Sequence, residues 1–215
     1  MNLILIGPPA SGKGTQSLIL SKLLNIFHVS IGDVFRKNLK NKTELGKKII
    51  FYINKGLLVP SEITNSMVSE IFTEEKIKKG FIFDGFPRNK NQALFLTEEF
   101  KKRNISLAKV FYFNVEEKLL EKRIVGRIIC SQCGEIYHKE TKLPKKDNLC
   151  DNDNSILIQR KDDNLNTFKK RLLVYKEETL PLVEYYQKIN KLFEIKVKDN
   201  KMTIEEITNI ILKNL

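Results

Sequence analysis

The chain has 215 residues, of which 41% are hydrophobic and 30% are charged. This length suits one mid-sized domain or a core with small inserted pieces, and the composition excludes a disordered chain and a small disulfide-stapled one. Apolar runs are only a few residues long, far short of the roughly 18 that a membrane span needs. The first ten residues lack the basic segment of a signal peptide. We therefore expect a cytoplasmic protein that does not associate with membranes.

The net charge is +12, and the positive residues divide unevenly into 31 lysines and seven arginines. A basic chain binds nucleic acid, anionic membranes or phosphorylated small molecules, or is simply rich in lysine throughout. Composition alone favours the last of these interpretations. The seven arginines stand at positions 36, 88, 103, 123, 127, 160 and 171.

Short apolar runs alternate with longer amphipathic runs along the chain. In chain order, the pattern predicts a strand at 3–6, a helix at 16–24, strands at 27–29, 81–83 and 110–113, helices at 116–125 and 166–187, a strand at 193–197 and a helix at 204–212. Strands separated by helices form a parallel sheet that is covered on both faces. The sequence therefore predicts an α/β fold, doubly wound around a five-stranded parallel sheet.

Residues 7–13 read GPPASGK, between the first predicted strand and the first predicted helix. This is the spacing of a phosphate-binding loop, in which backbone N–H groups and the helix N-terminus surround a phosphate chain and Lys13 reaches the outer phosphates. The residue after the lysine is Gly14, and the hydroxyl comes one position later, at Thr15. The motif predicts nucleoside triphosphate binding, but it occurs in ATPases, GTPases and kinases alike.

Further motifs narrow the choice, and together they cover the length of the chain. They are GKGTQ at 12–16, SIGDVFR at 30–36, DGFPR at 84–88, RIVGR at 123–127 and RKDD at 160–163. In order and spacing the chain resembles the adenylate kinase family, in its long form with a zinc-containing lid. The pair GKGT and DGFPR is specific to nucleoside monophosphate kinases.

The resemblance implies a division of the chain into three parts. A P-loop core would comprise residues 1–29, 60–125 and 164–215. An AMP-binding region would span 30–59, where the sequence is helical and rich in lysine, and a lid would span 126–163, which holds every cysteine. Both insertions would close over bound substrates and exclude water.

The resemblance also implies reversible phosphoryl transfer from MgATP to AMP, giving two ADP, in line and without a covalent intermediate. Negative charge spreads over the transferring oxygens in such a reaction, so that the protein mainly positions and neutralises. Arginine suits this work because its planar fork grips phosphate and never loses its charge. We expect ATP, AMP and ADP as ligands, Mg²⁺ as the cofactor, no nucleic acid partner, and a monomer.

Six of the seven arginines fall on nucleotide-contact positions of the family, and only Arg103 does not. By resemblance, Arg36 and Arg88 hold the AMP phosphate, while Arg123 lies against the ATP adenine and Arg127 contacts the ATP phosphates. Arg160 and Arg171 reach the phosphates across the cleft, Lys13 neutralises charge on them, and Asp84 orients the waters around Mg²⁺.

The remaining implied contacts are largely made by the backbone. The Gln92 side chain would recognise the AMP base. The ATP contacts are Ala10, Ser11, Gly12, Lys13, Gly14, Thr15, Ile136, Tyr137 and Lys201, and the AMP contacts are Ile31, Leu57, Leu58, Val59, Gly85, Phe86, Pro87 and Gln92.

Two residues depart from the family pattern. Ile31 stands where the family usually has threonine, and because isoleucine cannot hydrogen-bond, base selection must lean on Gln92 and the backbone. Ala10 stands where the family often has glycine. A small Cβ is tolerated there if φ is negative, and we expect little effect.

The three cysteines form a pattern of their own, Cys130-x₂-Cys133 followed by sixteen residues and Cys150-x₂-Asp153. An odd count argues against disulfides, and paired C-x₂-C knuckles have zinc-ribbon spacing. The pattern predicts a structural Zn²⁺ held by these four residues with no position open to water. Asp151 and His138 are rival fourth ligands, and three reduced thiols without metal are the other alternative.

Two other functions stay open at this point. A kinase of the same family could act on another monophosphate or use GTP, and Ile31 keeps this alternative alive. A zinc-ribbon protein that binds nucleic acid and uses ATP as a switch would account for the net charge and the cysteines. It gives no reason for DGFPR, however, and Tyr137 is the sole aromatic residue of the lid that could stack on a base.

Overall fold

The protein was analysed as a computed structural model, which describes residues 1–73, 75–160, 162–199 and 202–215. Strands and helices alternate over most of the chain. The strands are β1 (Asn2–Ile6), β2 (Phe27–Ser30), β3 (Phe81–Asp84), β4 (Lys109–Val115), β5 (Arg127–Cys130), β6 (Ile136–His138), β7 (Leu157–Ile158) and β8 (Leu192–Val197). The α-helices are α1 (Lys13–Leu23), α2 (Ile31–Lys40), α3 (Glu44–Lys55), α4 (Ser61–Ile71), α5 (Lys90–Lys102), α6 (Glu117–Gly126), α7 (Leu165–Val174), α8 (Pro181–Lys188) and α9 (Ile204–Lys213).

The central sheet has five strands in the order β2-β3-β1-β4-β8, and every pair in it is parallel. The predicted doubly wound α/β fold is therefore confirmed. In register, Asp84 at the end of β3 lies opposite Leu5 of β1 and Ser30 of β2. The loops that follow these three strands therefore leave the sheet at one edge.

Alternate residues of the strands enter two separate apolar clusters. Leu3 and Leu5 of β1 belong to one cluster, whereas Ile4 and Ile6 belong to the other. Side chains of a strand alternate between the two faces of its sheet, so both faces of the central sheet are covered. This is why the strands read as continuous apolar runs in the sequence.

The two inserted stretches differ in structure. Residues 30–59 contain α2 and α3, which pack on each other. Residues 126–163 contain a second, antiparallel sheet in the order β6-β5-β7. Among the described helices, none is both long enough and apolar enough to pass through a bilayer.

The single helix predicted at 166–187 is wrong, because the structure divides it. Between α7 and α8 lies a π-turn at Tyr175–Thr179, in which the N–H of Leu180 donates to the carbonyl of Tyr175 at 2.9 Å. Proline has no N–H, so Pro181 at the start of α8 cannot make the bond to residue 177 that a regular helix requires. Helices α4 and α5 lie outside the predicted elements.

Candidate functional site

The loop between β1 and α1 folds around the side chain of Lys13. The Lys13 ammonium donates to the carbonyl oxygens of Gly7 at 2.7 Å and Pro8 at 2.8 Å, and to Ser11 Oγ at 3.1 Å. Gly7 has no room for a side chain, since a Cβ there would lie 2.9 Å from Cβ of Phe113. The loop is thus shaped around its lysine.

Ala10 corrects one expectation about this loop. Its φ is +63°, in the left-handed region, so the condition of a negative φ, under which we expected alanine to have little effect, is not met. An L-residue with a side chain pays about 1–2 kcal/mol in this region. The glycine that the family often has here would adopt the same backbone without that cost, so Ala10 holds the loop in a strained conformation.

Asp84 lies beside the start of α1. A Cβ added to Gly14 would stand 3.3 Å from the Asp84 carboxylate, and the His28 ring is also close, with Nε2 at 3.9 Å from Oδ2. Burial pushes the pKa of Asp84 upward, but His28, Lys13 and Arg88 together hold it below its usual value. Asp84 is therefore an ionised carboxylate at the edge of the phosphate loop, the kind of oxygen ligand that attracts Mg²⁺ and its waters.

The pKa of Lys13 falls to about 8, chiefly because the ammonium is buried. Arg88 and Arg127 lower the pKa further, and Asp84 opposes them. A cation that is buried with too little opposite charge gains from the arrival of an anion, which restores its charged form. This site is therefore prepared for a phosphate.

One large cavity, of about 1260 Å³, contains the phosphate loop and six of the seven arginines. Its described lining includes ten lysines and arginines but three acidic residues, so the cavity is strongly positive. Arg103 lies elsewhere, at the end of α5, where it pairs with Glu99 and covers the ring of Phe72. The arginines in the cavity are Arg36, Arg88, Arg123, Arg127, Arg160 and Arg171.

Three arginines are grouped at the side of the cavity near α2 and α7. Arg36 pairs with the Asp33 carboxylate, Arg88 Nε donates to the carbonyl of Gly85 at 2.9 Å, and Arg171 pairs with Asp162. Burial lowers the pKa of Arg88 to about 10, and the neighbouring Arg171 and Arg36 contribute to this shift.

The other three arginines have different partners. Arg123 Nη1 lies 3.4 Å from the carbonyl of Ser11, and Arg127 grips the Asp163 carboxylate with two nitrogens, Nε at 2.7 Å. Arg160 Nε is buried with no partner among the described atoms. Burial, with Arg36 and Arg127 nearby, lowers the pKa of Arg160 to about 9. The cavity therefore holds buried positive charge that its own acids do not balance.

Most of the sequence-predicted contact residues line this cavity, but several do not. Ile31, Val59, Phe86 and Gln92 are buried and Leu57 is exposed, and none of these five side chains lines the cavity. Lys201, and Lys161 of the RKDD motif, lie outside the described residues. The predicted contacts that do line the cavity, besides the six arginines and Asp84, are Ala10, Ser11, Gly12, Lys13, Gly14, Thr15, Leu58, Gly85, Pro87, Ile136 and Tyr137.

Gln92 is engaged within the protein. Its Oε1 accepts a hydrogen bond from the N–H of Arg88 at 2.7 Å, and Asn89 caps the N-terminus of α5 beside it. The Gln92 amide is thus held at a fixed orientation beneath the loop that carries Arg88.

The sequence reading overlooked the acids that hold the arginines. Asp33, Asp162 and Asp163 each pair with an arginine of the cavity, and all three lie inside motifs that were recognised for their arginines alone. The spacing of three between Asp33 and Arg36 was a usable signal, because residues three apart on a helix are neighbours. Residues after β8 also line the cavity, and no motif marks them; they are Met202, Thr203, Ile204, Glu205 and Ile207.

The three cysteines and Asp153 converge in the lid. One ligand atom from each of the four lies within 4.8 Å of all the others, with Cys133 Sγ at 3.5 Å from Cys150 Sγ and Cys130 Sγ at 3.4 Å from an Asp153 oxygen. The backbone N–H groups of Gln132 and Cys133 both point at Cys130 Sγ from 3.3 Å. Tetrahedral zinc needs ligand atoms roughly 3.3–3.8 Å apart and negative sulfur, so these residues fit the metal.

Comparison with known proteins gives one consistent result. The family model described as "Adenylate kinase" matches residues 5–191. The chain is similar to the "Adenylate kinase" of Aster yellows witches'-broom phytoplasma (strain AYWB), with 51% identity over 215 residues, which is 100% of this chain and 98% of that protein. It is 50% identical to the "Adenylate kinase" of Onion yellows phytoplasma (strain OY-M), at the same coverage. It is 47% identical to the "Adenylate kinase" of Caldanaerobacter subterraneus subsp. tengcongensis, over 100% of this chain and 96% of that protein.

Proposed function

This chain belongs to the adenylate kinase family and catalyses reversible phosphoryl transfer between ATP and AMP to give ADP, and we propose how its own residues divide that work. The observation that carries the proposal is the convergence of six arginines on one cavity with the phosphate loop in its wall. Two anionic nucleotides placed end to end would require positive charge along the whole length of such a cavity.

ATP binds at the end formed by the phosphate loop. The N-terminus of α1 offers its positive end to the phosphates, and Lys13 releases its hydrogen bonds to the Gly7 and Pro8 carbonyls to bind the outer phosphates. Arg123 and Arg127 contact the same nucleotide from the cavity wall. Ile136 and Tyr137 border the base and ribose, for which their position on the cavity wall is the support.

AMP binds at the opposite end. Arg36 and Arg88 hold its phosphate, each with a guanidinium that currently bonds to a neighbouring oxygen of the protein. Arg160 and Arg171 lie between the two nucleotides and neutralise the charge that develops on the transferring group. Since a dissociative transfer gains little from a protein nucleophile, these four side chains act by position and charge alone.

Asp84 serves the metal. Mg²⁺ bound with ATP would supply positive charge that offsets the negative charge of the reacting phosphates. Asp84 would hold that ion's waters beside the phosphate loop, and its low pKa, which His28 and Lys13 support, keeps it ionised for this role.

Three parts of the chain carry these residues. Residues 1–29, 60–125 and 164–215 form the core, 30–59 the AMP-binding region with Arg36, and 126–163 the lid with Arg127 and Arg160. Closure of the lid and the AMP-binding region expels water, so the phosphoryl group passes to AMP instead of to water.

Cys130, Cys133, Cys150 and Asp153 would hold a structural Zn²⁺ in the lid. Four protein donors would leave such an ion no position open for substrate, so it would contribute shape and not chemistry. Tyr137 is 2% exposed and packs beside Cys150, which removes the one lid ring available for stacking on nucleic acid bases. This burial favours the kinase over the nucleic-acid alternative, which would need that ring for base stacking.

AMP is the preferred acceptor and the protein acts as a cytoplasmic monomer. Ile31 is 2% exposed within an apolar cluster, so its side chain is in no position to select the base. A panel of nucleoside monophosphates tests the choice, and a higher kcat/KM with UMP, CMP or GMP than with AMP would refute it. Sedimentation at micromolar concentration tests the monomer.

A matched pair of arginine variants tests the site as a whole. Arg88→Ala removes a cavity arginine, and we expect it to reduce kcat by about 10³-fold or more, as the loss of a phosphate-clamping arginine does. Arg103→Ala removes the arginine that lies outside the cavity, and its activity should stay within about twofold of the wild type. Equal activities for the two variants would contradict the assignment.

A further inference from the structure

Thr179, at the end of the π-turn, reaches the loop that carries Arg88. Its hydroxyl donates to the carbonyl oxygen of Arg88 at 2.6 Å, across 91 residues of sequence. The Thr179 side chain is buried, and it borders the same cavity as the arginines. The phosphate chemistry above makes no use of it.

Arg88 depends on side chains for its orientation. Residues 85–88 belong to neither a strand nor a helix, so no hydrogen-bond ladder occupies the backbone groups of Arg88. Instead its N–H donates to Gln92, its carbonyl accepts from Thr179, and its own Nε donates to the Gly85 carbonyl. Three hydrogen bonds thus fix the residue, and Thr179 supplies the one that comes from a different part of the fold.

The bond made by Thr179 is unusual for a threonine that ends a helical turn. Threonines in helices commonly donate to the carbonyl four residues earlier. Thr64 and Thr97 of this chain do so, to Pro60 and Ala93 at 3.2 and 3.0 Å. Thr179 donates to another element instead.

The π-turn accounts for this difference. Pro181 removes an N–H from the regular pattern, and the Leu180 N–H reaches back five residues to Tyr175. The helix is therefore wider at Thr179 than a regular α-helix. Single π-turns of this kind are frequent at functional sites.

We propose that Thr179 is a positioning residue for Arg88: its hydroxyl fixes the Arg88 carbonyl and so aims the guanidinium at the phosphate of AMP. The inference rests on the phosphate-binding role proposed above for Arg88. A misplaced clamp of this kind weakens catalysis without any loss of charge.

The test compares Thr179→Val, which keeps the volume and removes the donor, with Thr179→Ser, which keeps the donor. We expect Thr179→Val to lower kcat/KM for AMP about tenfold, roughly the value of one hydrogen bond, while KM for ATP changes less than about twofold. Thr179→Ser should stay within about twofold of the wild type. Thr179→Ala also lacks the donor and repeats the measurement should the valine variant fold poorly.

Thr97→Val is the matched control. The Thr97 hydroxyl also connects two helices, because it lies 3.0 Å from the Tyr185 hydroxyl of α8, but neither residue lines the cavity that contains Arg88. Thr97→Val should leave kcat/KM for AMP unchanged. The inference is overturned if Thr179→Val matches the wild type, or if it weakens AMP and ATP equally while lowering the melting temperature, since both results indicate a structural role.

A double-mutant cycle with Arg88→Lys separates this inference from the role of Arg88 itself. If Thr179 acts through Arg88, Thr179→Val should cost less than about twofold in the Arg88→Lys background, because contacting residues are not additive. A full tenfold loss there would overturn the inference. Wild-type activity of Arg88→Lys alone would instead remove the proposed role of Arg88.

Discussion

The core and the lid present arginines to the same cavity, but they are held in shape in different ways. The core encloses large aromatic side chains, and Phe81, Phe83, Phe111 and Phe113 are each at most 1% exposed. The lid has a cluster of only four buried residues, Cys130, Tyr137, Cys150 and Leu157, and two of these are cysteines.

This difference indicates which force positions which charge. Burying one large apolar side chain contributes about 1.5–3 kcal/mol, so the core has ample hydrophobic stabilisation and the lid has little. Small units of this size depend on a metal or a disulfide. The loops that carry Lys13 and Arg88 are therefore anchored to a sheet held by apolar packing, whereas we expect the positions of Arg127 and Arg160 to depend on the four predicted zinc ligands.

The strongest test of the core is the removal of a ring at its centre. Phe111 is fully buried in β4 and packs on Phe193 with 5.8 Å between the ring centroids. Phe111→Ala should lower the free energy of unfolding by about 3–5 kcal/mol, because it removes apolar contact and leaves a cavity. Chemical denaturation measures this loss. The zinc content of the folded Phe111→Ala protein should be the same as that of the wild type.

Phe51→Ala is the matched control, since Phe51 is 52% exposed on α3. We expect the free energy of unfolding to fall by at most about 1 kcal/mol. This value includes the loss of a surface side chain and of its interaction with the Lys55 ammonium, which lies 4.1 Å from the ring centroid. If Phe51→Ala destabilised the protein as much as Phe111→Ala, the core would not owe its stability to the buried rings.

The corresponding test of the lid is Cys133→Ser. It should reduce bound zinc well below one ion per chain and make the lid sensitive to proteolysis, while the main unfolding transition of the core shifts by only a few degrees. Phosphoryl transfer should fall because Arg127 and Arg160 lose their scaffold. Metal analysis and limited proteolysis give the two readouts, and an unchanged metal content would remove Cys133 as a ligand.

Two aspartates of the lid sharpen the same test. Asp153→Asn should lose zinc affinity about 10–100-fold or more, whereas Asp151→Asn should retain the metal. Asp151 accepts a hydrogen bond from the N–H of Lys145 at 2.8 Å and stands outside the ligand cluster. The opposite result would identify Asp151 as the fourth ligand.

Local patterns in the sequence predicted the core better than the details of the site. The strands of the sheet were predictable because both of their faces are buried, and the phosphate loop because its glycines and Lys13 have fixed spacing. The cluster of Cys130, Cys133, Cys150 and Asp153 followed from the same kind of spacing. The resemblance assigned the arginines, and all six of them meet in one cavity.

What could not be predicted depends on contacts between distant residues. The positive φ of Ala10 runs against the local preference of alanine and occurs where the loop closes around Lys13. The bond from Thr179 to Arg88 joins residues 91 apart, although Pro181 was a local sign that the helix could not be regular. The pairing of Asp162 with Arg171 likewise requires the lid to return to α7.

The smallest expected effect is the uptake of a fraction of one proton when MgATP binds. It arises because Lys13 is buried in the core. With a pKa of about 8, Lys13 is largely neutral at pH 8.5 in the free protein. Phosphates next to the ammonium favour its charged form and raise that pKa, so binding of MgATP should take up a fraction of one proton at pH 8.5 and almost none below pH about 7, where Lys13 is already charged. Calorimetry in two buffers with different protonation enthalpies measures the uptake. Lys142→Met removes a cavity lysine that pairs with Glu135 and should leave the uptake unchanged. Binding with no proton uptake at pH 8.5 would mean that Lys13 is already charged before ATP arrives. Burial in the core would then not lower the pKa of Lys13.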